Sequence, residues 1–138
     1  MGYGIGSLLA LCVSFFANRV GFDRDRAFYP TVLIVVGSYY VLFAAMGATS
    51  QALLMEVALL TVFLLAAVAG FKFNMWAVVA GLAGHGVLDF FHAGIVTNPG
   101  VPEWWPAFCS AYDLCAAGCL AWLLTRPNPS SPRAHLSP

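Results

Sequence analysis

Apolar residues run along this chain in five long segments separated by short polar stretches. The segments are Gly4–Val20, Pro30–Gly47, Ala52–Phe71, Met75–Val96 and Trp104–Thr125. Each is close to the ~20 residues that an α-helix needs to cross about 30 Å of hydrocarbon. The pattern predicts an all-α fold, an integral membrane bundle of five transmembrane helices over residues 1–125. The Pro- and Ser-rich stretch 126–138 is expected to form a disordered tail.

Composition supports this class of protein. Hydrophobic residues make up 61% of the chain and charged residues only 9%, whereas soluble domains carry about 25% charged residues. The formal net charge is zero, so the chain has no basic stripe for nucleic acid. The expected surroundings are the lipid bilayer, with a lipid-like or small-molecule ligand. The first segment lacks the basic start of a signal peptide, so we interpret it as a retained helix.

The basic residues predict an orientation. The loops after the second and fourth segments carry no lysine or arginine, and all basic residues fall on the other side of the bundle. The positive-inside rule then places the N-terminus outside and the C-terminus in the cytoplasm of a multi-pass protein of the inner (plasma) membrane. The residues concerned are Arg19, Arg24, Arg26, Lys72, Arg126 and Arg133.

The fourth segment contains the sequence GHGVLDFFHAG, which places three ionisable residues in an apolar helix. His85, Asp89 and His92 are spaced i, i+4 and i+7. At 100° per residue they fall within about 60° of one another, so one narrow face carries all three. That face must point into the bundle rather than to lipid. Two imidazoles and a carboxylate on adjacent turns predict a divalent metal site, with zinc, iron and manganese all compatible.

Two neighbouring helices carry further ionisable groups at a similar predicted depth. Glu56 stands alone in the apolar stretch LLMEVALL, and Cys109 and Asp113 are spaced i, i+4 in the fifth segment. Glu56 or Asp113 is predicted to act as a further ligand or as a general base. Cys109 is interpreted as a small core residue rather than as a ligand.

Three functions are compatible with this set of residues. The leading hypothesis is a metal-dependent enzyme, hydrolytic or oxidative, that acts on a lipid-like substrate. The first alternative is a small proton-linked transporter or channel component, in which Asp89, Glu56 and Asp113 form a relay. The second is a structural membrane subunit whose buried charges only neutralise one another. Whether the chain is an enzyme therefore stays open at this point.

The loop TNPGVPEWWP connects the fourth and fifth segments. Asn98, Pro99 and Gly100 form a strong turn sequence, and Pro102 stiffens the second half of the loop. The tryptophan pair after it is typical of a membrane interface. The loop is either a fixed lid over an outward-opening polar pocket or a plain tight turn with an aromatic anchor.

The order of these groups resembles a family of small bacterial integral membrane proteins classed only as a domain of unknown function. Its members carry a similar His–x3–Asp–x2–His helix, an Asn-Pro-x-x-Pro loop and a later Asp. The resemblance covers about Arg24 to Asp113 and implies a family pattern, but no activity. The matching positions are Glu56, His85, Asp89, His92, Asn98, Pro99, Pro102, Cys109 and Asp113.

Overall fold

The computed structural model describes residues 1–24 and 26–126, and within these ranges the chain forms five α-helices. They are α1 (Gly2–Val20), α2 (Phe28–Gly47), α3 (Ser50–Lys72), α4 (Trp76–Ile95) and α5 (Trp105–Thr125). All five are long and apolar enough to cross a membrane, which confirms the predicted number and type of elements. The predicted tail lies outside the described residues beyond Arg126.

Short polar signals set several helix ends. The Thr49 side chain accepts a hydrogen bond from Ala52 N at 3.2 Å and caps the start of α3. The Asn74 side chain does the same for α4 through Trp76 N, at 3.0 Å. At the end of α1, Gly21 adopts a left-handed conformation with φ 88°, in which glycine costs least. These caps separate the apolar segments into helices without long loops.

The helices pack in an order that differs from the chain order. Helices α2 to α5 form a bundle in which α2 also touches α4 and α5, whereas α1 packs mainly on α5. Helices joined by a short connection usually pack as antiparallel neighbours, but α1 and α2 do not. The physical reason is a close approach at Gly6, where a Cβ atom would overlap the Phe108 carbonyl.

Polar and apolar side chains are distributed inside out. Large hydrophobic side chains on the outer faces are exposed, as at Leu54 and Leu65 of α3, while charged side chains such as Glu56 are buried. Water would favour the opposite arrangement, so the surface suits a lipid environment.

The two ends of the bundle also differ. We call them the Trp104 end, which holds the α4–α5 loop, and the Arg126 end, where α5 finishes. The buried interior toward the Arg126 end is mainly apolar and includes Leu33, Val78 and Leu82, together with Ser14 and the Tyr29 hydroxyl.

Candidate metal centre

Two pairs of side chains meet in the interior between α4 and α5. The i, i+4 spacing puts His85 and Asp89 on one face of α4, and the same spacing puts Cys109 and Asp113 on one face of α5. Each of the four residues offers one ligating atom, and all four atoms lie within 4.8 Å of one another. All four side chains are at most 2% exposed. The two helices therefore supply two groups each to one buried cluster.

The contacts within the cluster centre on the Asp113 carboxylate. Its Oδ2 atom lies 2.6 Å from His85 Nδ1 and accepts a hydrogen bond from Cys109 Sγ at 3.6 Å. Asp89 Oδ2 lies 3.7 Å from the same imidazole nitrogen. His85 Nδ1 therefore faces both carboxylates of the cluster.

Gly86 allows the two helices to come this close. A Cβ atom at this position would lie 3.0 Å from the Ser110 carbonyl oxygen and 3.2 Å from Asp113 Cβ. Any larger residue would have to move the α5 backbone, because a carbonyl oxygen cannot turn aside as a flexible side chain can. The glycine between His85 and Asp89 thus helps to bring the α5 pair within reach of the α4 pair.

The cluster has unused capacity for a cation. Asp89 Oδ2 and Asp113 Oδ1 are buried and accept no hydrogen bond from any described residue. Two carboxylates face one imidazole here, and buried charges need compensation. Imidazole, thiolate and carboxylate are the ligands that zinc takes in proteins, and ligands around a tetrahedral zinc stand roughly 3.4 Å apart. The separations of 3.6 and 3.7 Å are close to that value, whereas His85 Nδ1 and Asp113 Oδ2 stand 2.6 Å apart, at hydrogen-bond distance. The donor types therefore suit a divalent metal, and these two atoms would have to separate if both were ligands.

A second buried cluster lies nearer the Trp104 end. His92 Nε2 is 2.9 Å from Glu56 Oε1, and the same oxygen accepts a hydrogen bond from Asn98 Nδ2, also at 2.9 Å. Asn98 additionally donates to the Tyr40 carbonyl at 3.1 Å. These bonds tie the α4–α5 loop to buried groups of α2 and α3. The loop is thus docked on the bundle through Asn98.

Tyr40 on α2 joins the two clusters. Its hydroxyl donates to Asp89 Oδ1 at 2.7 Å. Its ring stacks on the His92 imidazole with centroids 4.0 Å apart, and the His85 imidazole is 5.9 Å away. The tyrosine ring therefore contacts one histidine while its hydroxyl holds a carboxylate beside the other.

The structure thus divides the residues that the sequence grouped together. His85, Asp89 and Asp113 lie in the cluster between α4 and α5, whereas His92 pairs with Glu56. Two residues at these clusters are not among the site residues predicted from the sequence. Cys109 completes the donor set, for which its i, i+4 spacing from Asp113 was the available signal, and Tyr40 had no such signal.

Two openings lead toward these clusters. A cavity of about 420 Å³ lies under the α4–α5 loop and is lined by His92, Asn98 and Glu103 among others. A larger apolar groove of about 690 Å³ runs beside α5 and reaches Cys109. Each cluster therefore borders a space that a small molecule can enter.

The comparisons with known proteins add no relationship to this picture. No family model matches the chain, and no curated protein or solved structure is significantly similar to it. The resemblance to the small bacterial membrane family therefore stays a prediction.

Proposed function

We propose that this protein is a membrane-embedded metal-dependent enzyme that acts on a lipid-like substrate. The metal ligands are drawn from His85, Asp89, Cys109 and Asp113. The observation that carries the proposal is the convergence of two i, i+4 pairs on one buried point. The two carboxylate oxygens that accept no hydrogen bond from any described residue support it.

The side chains divide into roles according to their contacts. A bound divalent ion would supply Lewis-acid activation of water or of a carbonyl or phosphoryl oxygen. Asp113 orients His85 and Cys109 through its Oδ2 atom. In a second arrangement Asp113 is not a ligand and acts as a general base, because a catalytic metal site keeps one coordination position open. His92 lines the loop cavity and is paired with Glu56, which places the pair to bind water that enters.

The loop cavity gives the site a direction of access. The docked loop and its cavity lie at the Trp104 end, which we assign to the outer face of the inner membrane because the described basic residues Arg19, Arg24, Arg26, Lys72 and Arg126 lie at the other end. Toward the Arg126 end the described interior contains Leu33, Val78 and Leu82, together with Ser14 and the Tyr29 hydroxyl. A proton relay across the bundle would need ionisable groups there, whereas the buried carboxylates and imidazoles of the described residues lie between the middle of the bundle and the Trp104 end, which favours an enzyme over a transporter.

Elemental analysis of the detergent-purified protein tests the metal assignment. We expect about one equivalent of zinc, iron or manganese per chain from cells grown with all three metals. His85→Ala and Cys109→Ala should each lose most of it. Matched controls on the same helices are His92→Ala and Cys115→Ala, which should retain it.

Two results would overturn this assignment. A wild-type protein without metal after growth in all three would remove the metal centre altogether. Loss of metal in His92→Ala with retention in Cys109→Ala would return the ligands to the set His85, Asp89 and His92.

A further inference from the structure

Two cavities meet at the Arg126 end of the bundle. One, of about 480 Å³, lies beside the α1–α2 connection and is lined by Arg24 and Arg26. The other, of about 300 Å³, lies between α1 and α5 and is lined mainly by apolar side chains, with Arg126 at one end. The lining residues that both cavities share are Asn18, Tyr29 and Leu123. The two cavities therefore adjoin, and we call them together the Arg24 site.

The arginines of the Arg24 site have donors to offer to a ligand. Arg24 and Arg26 are both exposed, so a ligand can reach their guanidinium groups. Arg26 donates to the Gly70 carbonyl at 3.1 Å, which holds it in place and uses only one N–H of the guanidinium. Neither arginine forms an ion pair with a described carboxylate, because each ion pair among the described residues involves a histidine. Guanidinium groups are the side chains that bind phosphate in a bidentate manner.

The charge of this site stays positive when the nearby carboxylates are counted. Asp23 also lines the site and accepts a hydrogen bond from Asn18 at 2.9 Å, and Asp25 lies between the two arginines in the sequence. Against these two aspartates stand three arginines, since α5 contributes Arg126. The site therefore favours an anion over a cation.

The apolar cavity runs inward from the charged end. Along α1 its lining extends from Asn18 to Leu11, which is about 10 Å at the rise of an α-helix. The Trp122 ring lines it on α5, and the Arg126 guanidinium lies over that ring, 3.2 Å from its centroid. Positive charge thus lies at the end of the bundle and apolar surface toward its middle. This is the order of a phosphate headgroup and an acyl chain in a bilayer leaflet.

We propose that the Arg24 site binds one anionic phospholipid, with its phosphate between Arg24 and Arg26 and one acyl chain along α1 and α5. The basic residues assign this end to the cytoplasmic side, where the surface of the membrane is negatively charged. A soluble phosphate compound fits the site less well, because it would leave the apolar cavity unfilled. The site is at the opposite end of the bundle from the α4–α5 loop, and the proposal does not depend on the metal centre.

Native mass spectrometry of the detergent-purified protein tests the proposal. Phosphatidylglycerol and phosphatidylcholine with identical acyl chains are added in equal amounts, and the intensities of the two lipid adducts are compared. We expect the phosphatidylglycerol adduct to be at least about fivefold stronger, because one basic residue near an anionic lipid contributes about 1 kcal/mol. Arg24→Gln should remove most of this preference. The Arg24 side chain makes no hydrogen bond to a described residue, so this variant keeps the fold.

Two pairs of variants separate a site from general attraction. Lys72→Gln removes a positive charge at the same end but outside both cavities, and it should keep the preference within about twofold. Leu11→Trp fills the apolar cavity and should weaken the phosphatidylglycerol adduct at least about threefold. Leu8→Trp is its control, because Leu8 is exposed on the same helix and lines neither cavity.

Three results would overturn the proposal. Equal losses in Arg24→Gln and Lys72→Gln would show that the lipid responds only to the overall charge of this end. Equal adducts of the two lipids on the wild-type protein, or of phosphatidylglycerol on Leu11→Trp and Leu8→Trp, would remove the site. Displacement of phosphatidylglycerol by an equal concentration of soluble glycerol phosphate, where we expect none, would identify a soluble anion as the ligand instead.

Discussion

Removal of the Glu56 side chain is expected to loosen the contact between α3, α4 and the α4–α5 loop. Glu56 is only 2% exposed, and its Oε1 atom pairs with His92 and with Asn98, each at 2.9 Å. Glu56→Ala therefore removes the partner of the His92 ring nitrogen and the acceptor of one Asn98 N–H, while Asn98 keeps its bond to the Tyr40 carbonyl. No other described side chain pairs with either donor nitrogen.

The size of the effect can be bracketed from these two contacts. Interhelical hydrogen bonds in membrane proteins average about 0.6 kcal/mol, so two of them give a lower limit of about 1.2 kcal/mol. Leaving two buried donors unsatisfied costs about 1–3 kcal/mol each, which gives an upper limit of about 6 kcal/mol. We expect Glu56→Ala to lower the free energy of unfolding by about 2–3 kcal/mol. Glu56→Gln should lose less, because its amide oxygen still accepts from Asn98.

Reversible unfolding in mixed micelles, titrated with SDS and followed by circular dichroism, measures this loss. Glu103→Ala is the control, because Glu103 is an exposed carboxylate at the same end of the bundle. The double variant Glu56→Ala/His92→Ala should be less destabilised than the sum of the two single variants, since they share one interaction. The reasoning is refuted if Glu56→Ala lies within about 0.5 kcal/mol of Glu103→Ala, the usual range for surface substitutions.

Two further substitutions have matched controls on the same helix. Tyr40→Phe removes the hydrogen bond to Asp89. It should lower the free energy of unfolding by about 1–3 kcal/mol, because the buried carboxylate loses a donor. Tyr39→Phe, at an exposed tyrosine, should cost less than about 0.5 kcal/mol in the same unfolding assay, and equal losses would contradict the role of Tyr40. Gly86→Leu should push α5 away and lower the metal content although no ligand is removed. Gly84→Leu, where a Cβ meets nothing within 4 Å, should leave the metal content unchanged, and full metal content in Gly86→Leu would show that the close approach is not needed.

The helices could be predicted from the sequence because their signal is local. An apolar run of about 20 residues specifies a spanning helix by its length alone, and the shared face of His85 and Asp89 follows from helical periodicity. The inward orientation of this face follows as well, because the cost of placing charge in lipid is large. All three results need only one helix at a time.

The division of the polar residues into two clusters needs distances between helices, which the sequence does not contain. His92 shares a face with His85, yet it lies two turns further along α4, where Glu56 of α3 is the nearer partner. Cys109 enters the donor set only because α5 is held against α4 at Gly86. Tyr40 joins the clusters from α2, and no spacing in its own segment distinguishes it from Tyr39.

X-ray absorption at the edge of the bound metal tests the central claim most directly. The account predicts one sulfur scatterer from Cys109, which for zinc lies at about 2.3 Å, together with nitrogen and oxygen at about 2.0–2.2 Å. Cys109→Ser should lose the sulfur shell, and Cys115→Ser should keep it. A wild-type spectrum with two imidazoles and no sulfur would contradict the claim, because it would place His92 rather than Cys109 beside His85.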